Sequence, residues 1–189
     1  MAYENHNVSS LLQTKAQRAP RTESRPATRE KARVDSAAAK WTKAALVGAL
    51  GSLTMFVIIM AAIGSGIAPF NSPPSAAFLE YFGLNVGPLA LMVHFGYGVF
   101  WSIVLVALFR EKITVIKGNF LALALWLFMM VVYSPLMGWG LFGFEPAAQL
   151  PSNHPLYLNS GPQYLVATLL LHVIYGSIIG WLNPKWIKS

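Results

Sequence analysis

The sequence predicts an all-α membrane protein, built as an antiparallel bundle of four transmembrane helices behind a basic tail. The chain of 189 residues is 55% hydrophobic and only 11% charged, whereas soluble domains carry about 25% charged residues. Residues 44–109 and 118–184 contain no Lys or Arg. Their only charged residues are Glu80 and Glu145. Because unpaired charge is costly in hydrocarbon, such long stretches indicate membrane spans.

Residues 1–40 differ in composition from the rest of the chain. The stretch from 15 to 40 is rich in Arg, Ala, Ser and Pro and has few apolar side chains to bury, so disorder is expected. The predicted organisation is a disordered basic tail at 1–40 and a transmembrane domain at 41–189. The tail lacks interleaved aromatic residues, which argues against nucleic-acid binding.

Four apolar runs form the predicted spans, at about residues 44–67, 88–109, 118–140 and 164–182. Each has close to the ~20 residues that cross ~30 Å of hydrocarbon as a helix. The runs are continuous rather than alternating, which favours helices over the strands of a closed barrel.

The basic residues predict the orientation of the spans. Of the 14 Lys and Arg residues, nine precede the first span, three lie between the second and third, and two follow the fourth. The loops at 68–87 and 141–163 have none. The positive-inside rule therefore places both termini in the cytoplasm, in the cytoplasmic (inner) membrane of a bacterium or archaeon.

The two loops that lack Lys and Arg contain Pro, Gly and aromatic residues. Pro73 and Pro74 predict the start of a short surface helix that runs through Tyr81 and ends at Gly83. Pro135, near the end of the third span, predicts a kink or an early helix end, which either opens a cavity or simply bends the helix. Aromatic residues expected at the membrane interface are Phe78, Tyr81, Phe82, Trp139, Tyr157 and Tyr164.

The second and fourth spans share the pentad HxxYG, at His94–Gly98 and at His172–Gly176. Two hairpins in the same orientation with matching pentads predict a parallel duplication with a pseudo-twofold axis along the membrane normal. Chance is the alternative, since the first and third spans show no convincing match.

Helical spacing places the pentad residues on one face of each helix. Glycine beside each histidine lets a second helix or a flat ligand approach closely. The predicted site residues are two histidines, His94 and His172, and a polar or packing stripe of Tyr97, Gly98, Trp101, Tyr175, Gly176 and Gly180.

Three interpretations of His94 and His172 remain open. Each imidazole donates a hydrogen bond to a backbone carbonyl or a Tyr hydroxyl and joins helices, or the pair ligates haem b, or both line a polar path for a proton, ion or small solute. A four-residue difference in depth, ~6 Å along a helix, argues against a shared haem.

Other chemistry has little support. His154, Glu80 and Glu145 lack metal-ligand spacing, so they are expected to be solvated, with a surface metal site or an acidic vestibule as alternatives. The chain has no cysteine and no HExxH or GxSxG motif, so no resident metal site and no enzymatic activity are expected.

The runs PLMGWGLFG at 135–143 and LLLHVIYGSIIGW at 169–181 resemble segments of small four-span bacterial and archaeal membrane proteins of unknown function. The resemblance covers roughly residues 44–184. It implies a four-span fold and carries no activity.

The expected function is therefore that of a non-enzymatic structural or accessory subunit of a membrane complex, or a homo-oligomer, within the lipid bilayer. No cofactor is expected. The alternatives are a haem b electron-transfer protein ligated by His94 and His172, and a small oligomeric channel or transporter built around these histidines with Tyr97 and Tyr175.

Overall fold

A computed structural model describes residues 26–84, 87–145 and 150–188. These residues form helices and connecting loops, and they contain no β-strand. The five main helices are α1 (Pro26–Gly64), α2 (Pro74–Tyr81), α3 (Gly87–Phe109), α4 (Val115–Phe128) and α5 (Gly161–Lys188).

Four segments of the described chain are long and apolar enough to cross a membrane. They are Arg33–Gly64, Gly87–Lys112, Val115–Leu136 and Gly161–Ile187. Each overlaps one predicted span, so the prediction of an all-helical chain with four candidate membrane spans is confirmed. The short helix predicted after Pro73 is also present as α2, and Gly83 follows it with a φ of +71°.

The N-terminal part of α1 differs from the sequence prediction. Helix α1 begins at Pro26, so residues 26–40 are helical where disorder was expected, and residues 1–25 lie outside the described part. This segment consists largely of Ala, Arg, Lys and Glu, which are good helix formers, and Glu30 pairs with Arg33 at 3.0 Å. Extending an apolar helix by such residues needs no new nucleation. The chain forms two compact units, of which the first ends at Ala38 and the second begins at Ala39.

Helix α4 changes geometry before it ends. A π-helical turn at Met129–Tyr133 follows it, and a last α-helical turn spans Ser134–Leu136. Pro135 has no N–H to donate, while the Ser134 N–H bonds to the Met129 carbonyl five residues back. The irregularity predicted at Pro135 is therefore present, and the third apolar segment ends at Leu136 rather than near residue 140.

Helices α1 and α3 pack closely through small residues. A Cβ added to Gly48 would lie 2.6 Å from the Gly98 carbonyl oxygen and 2.7 Å from the Val99 Cα. One turn further on, the Ser102 hydroxyl donates to the Ala44 carbonyl at 2.8 Å. Backbone therefore touches backbone at this crossing, as is common where membrane helices meet through glycine.

Helices α4 and α5 meet in the same manner. A Cβ added to Gly118 would collide with the Gly176 carbonyl oxygen and would lie 2.8 Å from the Gly180 Cα. Gly180 in turn faces the Thr114 carbonyl oxygen, 2.8 Å from its added Cβ. Neither crossing leaves room for even a methyl group.

The loops that precede α3 and α5 form a layer over one end of the helices. Phe70 and Leu158 make an isolated antiparallel bridge, and the Asn159 N–H donates to the Pro69 carbonyl at 2.8 Å. Trp139 and Tyr164 are fully buried in the apolar cluster beneath this layer. Both rings are therefore packed inside the chain rather than exposed to lipid headgroups, and their depth in a membrane stays a prediction.

Candidate functional site

The two HxxYG pentads converge on one cavity of about 310 Å³. His94, Tyr97 and Gly98 line it from α3, and His172 and Tyr175 line it from α5. The remaining wall comes from α1, α2, the end of α4 and the π-helical turn, and it is mostly apolar. The geometry thus joins two motifs that lie 78 positions apart in the chain.

His94 bridges two helices. Its Nε2 lies 2.9 Å from the carbonyl oxygen of Ser52 on α1, and its ring lies 5.8 Å from the ring of Phe56. The side chain is half-buried. This contact is the backbone hydrogen bond that the first interpretation of the histidines predicts.

His172 bonds within its own helix instead. Its Nδ1 lies 2.8 Å from the carbonyl oxygen of Thr168, one turn earlier on α5. The Thr168 hydroxyl accepts a hydrogen bond from the Trp126 indole at 3.2 Å and donates to the Tyr164 carbonyl at 2.7 Å. His172 is 7% exposed, so this chain of contacts holds a buried imidazole in a fixed orientation.

The partners define the tautomers of the neutral rings. A carbonyl oxygen only accepts, so the ring nitrogen that faces it carries the proton. His94 is therefore protonated on Nε2, and His172 on Nδ1. Each neutral imidazole then has one unprotonated nitrogen, Nδ1 of His94 and Nε2 of His172, that can accept a hydrogen bond or bind a metal.

The two tyrosines of the pentads have different partners. Tyr175 is buried and its hydroxyl donates to the carbonyl oxygen of Gly98, which links α5 to α3. Tyr97 is 45% exposed, and its ring makes an edge contact with Trp101. The Tyr97 hydroxyl has no hydrogen-bond partner among the residues that the structure describes.

The rest of the predicted stripe lies outside the cavity. Trp101 packs against Tyr97 and against a buried apolar cluster that includes Leu105 and Ile179. Gly176 and Gly180 face α4, where they meet Gly118. The helical spacing predicted that these residues share one face of α5. In the structure Gly176 and Gly180 pack against α4, whereas His172 and Tyr175 line the cavity.

Several lining residues were not predicted. Ser52 on α1, Phe78 on α2, Phe128 on α4, Tyr133 on the π-helical turn and Thr168 on α5 all line the cavity. One sequence signal points to one of them, because Pro135 marks the irregular turn that contains Tyr133.

His154 and Glu145 both contact other loop residues. Nδ1 of His154 accepts a hydrogen bond from the Leu156 N–H at 3.1 Å, and the Asn71 amide donates to the His154 carbonyl at 3.0 Å. Glu145 is exposed and folds over Gly140. Across residues 26–84, 87–145 and 150–188, no group of three or more His, Cys, Asp or Glu side chains is placed to hold a metal ion.

Comparison with protein-family models gives no match, and no curated protein or solved structure matches the chain significantly.

Proposed function

We propose that this chain is a non-enzymatic, accessory or structural subunit of a membrane complex. The observation that carries the proposal is how the polar groups of its apolar helices are used. His94, Ser102 and Tyr175 each hydrogen-bond a backbone carbonyl of another helix. Such bonds join helices in hydrocarbon, and they leave these groups in helix packing rather than in an acid–base pair.

The exposed surface supports a subunit role. In each candidate span, only 22–39% of the most apolar stretch of 18 residues is buried within the chain. Large apolar side chains such as Met92, Phe120 and Leu170 are exposed. A chain with so small an interior has ample apolar surface for lipid, for further copies of itself or for a larger assembly.

In this proposal the four spans form an antiparallel bundle of two hairpins related by pseudo-twofold symmetry. The contacts of the glycines support it, because Gly48 meets the Gly98 carbonyl and Gly118 meets the Gly176 carbonyl. One turn away, Ser102 meets the Ala44 carbonyl, and its counterpart Gly180 meets Thr114. The first and third spans thus correspond through small residues that are spaced four positions apart.

The distribution of basic residues supports an orientation in which both chain ends and the loop between α3 and α4 face the cytoplasm. Arg110, Lys112 and Lys117 lie at that loop, at the opposite end of α3 from the loop layer. The positive-inside rule then puts the loop layer outside. The corresponding location is the cytoplasmic membrane of a bacterium or archaeon.

The test is to purify the tagged full chain from its native membrane in a mild detergent. We expect it to co-purify with a partner at fixed stoichiometry or as a defined homo-oligomer, and exposed apolar substitutions such as Phe120→Ser should release that assembly without unfolding the chain. Recovery as a monomer, with no partner under conditions that preserve other complexes, would contradict the proposal.

A second candidate is electron transfer through haem b. The observation that favours it is that His94 and His172 line one cavity. Their positions within the two spans nevertheless predict different depths in the membrane. Each ring donates one N–H to a carbonyl and keeps the other nitrogen unprotonated, which is the usual arrangement of a metal-bound histidine. The geometry of His94 is less suited, since its Nε2 is the nitrogen that faces Ser52.

Absorption spectra separate the two candidates. The detergent-purified chain, expressed with haem supplied, is measured oxidised and then reduced with dithionite. A Soret band that His94→Ala and His172→Ala each remove would establish the haem protein. A colourless preparation would reject it. The channel or transporter alternative stays a prediction, and flux into liposomes tests it.

A further inference from the structure

We infer that the cavity between the two HxxYG pentads binds a lipid-soluble molecule with a hydroxylated ring, such as an alkylphenol or a quinol, which donates a hydrogen bond to Nε2 of His172. This inference goes beyond a subunit role and does not depend on it. It rests on the size of the cavity, on one hydrogen-bond acceptor in its wall, and on the two exposed residues that line it.

The size and lining of the cavity suit a ring. A cavity of ~150 Å³ lined by apolar side chains holds benzene, and this one has about twice that volume, ≈ 310 Å³. Phe78 and Tyr133 lie in its wall with their rings stacked at 6.3 Å between centroids. Ligand pockets typically combine such apolar walls with a few polar groups that fix orientation.

His172 supplies the polar group. The side chain is 7% exposed and its Nδ1 is used by Thr168. Its Nε2 makes no hydrogen bond to any residue in the described ranges, and the residue lines the cavity. The unprotonated Nε2 of the neutral imidazole can accept a hydrogen bond, so a ligand that brings an O–H donor into the cavity is favoured over a purely apolar ligand of equal shape.

The opening of the cavity indicates where the ligand comes from. Of the residues that line it, Tyr97 on α3 and Phe128 on α4 are the two exposed ones, at 45% and 59%. Both belong to apolar segments that are candidate membrane spans. On the loop side the cavity is covered by α2, which is held by the bond from the Tyr133 hydroxyl to the Pro74 carbonyl at 2.7 Å. The opening therefore faces hydrocarbon, which admits molecules that dissolve in lipid.

The occupant that fits these features has a ring in the cavity, a hydroxyl near His172 and an apolar tail that leaves past Tyr97 and Phe128 into the bilayer. The Tyr97 hydroxyl, at the opening, adds a second polar contact for a substituent on the ring. No covalent or redox step is involved, since the inference concerns binding.

The test uses two probes that differ by a single hydroxyl, 4-hexylphenol and hexylbenzene. The full chain, labelled with ¹⁵N-histidine, is placed in lipid nanodiscs and titrated with each probe, and empty nanodiscs correct for partitioning. The chain has four histidines, so the resonance of the unprotonated Nε2 of His172 is assignable through His172→Gln. We expect hexylphenol to shift this resonance and to bind about five- to tenfold more tightly than hexylbenzene, as one hydrogen bond implies.

Matched variants locate the binding. His172→Leu, which removes the acceptor, should bring the two affinities within about twofold of each other, while His154→Leu in the loop layer should leave the preference unchanged. Val93→Phe, which fills the cavity, should weaken both probes at least tenfold. Leu91→Phe, an exposed position on the same helix, should not.

Equal affinities for the two probes in the unaltered chain would overturn the inference. So would binding that Val93→Phe leaves intact, or a purified chain whose cavity carries haem.

Discussion

The two HxxYG pentads share a sequence pattern but differ in environment. On α5, Tyr175 is buried and donates to the Gly98 carbonyl. On α3, the corresponding Tyr97 is 45% exposed and lines the cavity. The tyrosine of the same pentad is thus a buried packing residue on α5 and an exposed residue of the cavity wall on α3.

A glycine on α1 accounts for the burial of Tyr175. The ring of Tyr175 rests on Gly51 of α1, where an added Cβ would lie 2.8 Å from its Cδ2. If Gly48 corresponds to Gly118, the counterpart of Gly51 on α4 is Leu121. Under that correspondence a leucine would fill the space that glycine leaves free, and Tyr97 would have no equivalent place to dock. The pentad by itself therefore does not determine whether its tyrosine is buried.

The largest expected effect follows from filling the site of Tyr175. Gly51→Leu should expel the ring and break its bond to Gly98, which lowers the free energy of unfolding by about 3 kcal/mol. The measurement is reversible unfolding in mixed micelles with increasing SDS. Gly96→Leu is the control, because an added Cβ at Gly96 meets nothing within 4 Å. Equal stability of these two variants would refute the account of Tyr175.

A second prediction compares the two glycine crossings. Gly48→Ala and Gly118→Ala should each destabilise the chain by about 2 kcal/mol, since the atoms their methyl groups meet include backbone that has little freedom to move. The same SDS titration measures both, with Gly96→Ala as the neutral reference. Similar losses would support two equivalent hairpins, whereas a loss at only one crossing would argue against the pseudo-symmetry.

The smallest effect distinguishes the two hydroxyls. Tyr175→Phe removes the donor to Gly98 and should cost about 1 kcal/mol of unfolding free energy. Tyr97→Phe should change it by less than about 0.5 kcal/mol, as expected for a side chain without a buried partner. Both values come from the same titration of purified protein. A greater loss for Tyr97→Phe than for Tyr175→Phe would reverse the assignment of the two tyrosines.

Part of the candidate site was accessible from the sequence. His94 and His172 stand out because ionisable residues are rare in apolar helices, and both do line the cavity. Pro135 pointed to the irregular turn next to it. By contrast, the sequence did not predict that Ser52 and Phe78 line the cavity. Nothing in the sequence around either residue relates that residue to a histidine more than ten positions away.

What the sequence determined by itself was the number and approximate position of the apolar helices. Hydrocarbon requires long uninterrupted apolar runs and internal backbone hydrogen bonds, so composition alone specifies them. Local chemistry also determined the short helix after Pro73 and the irregularity near Pro135.

The tertiary structure decided the rest: which glycines touch, which nitrogen of each histidine is protonated, and that Trp139 and Tyr164 are buried beneath a loop layer. The physical reason is that helices apolar on every side carry little periodicity. Their rotation and register are therefore set by how small residues on one helix fit the backbone of another, and only the assembled chain contains that information.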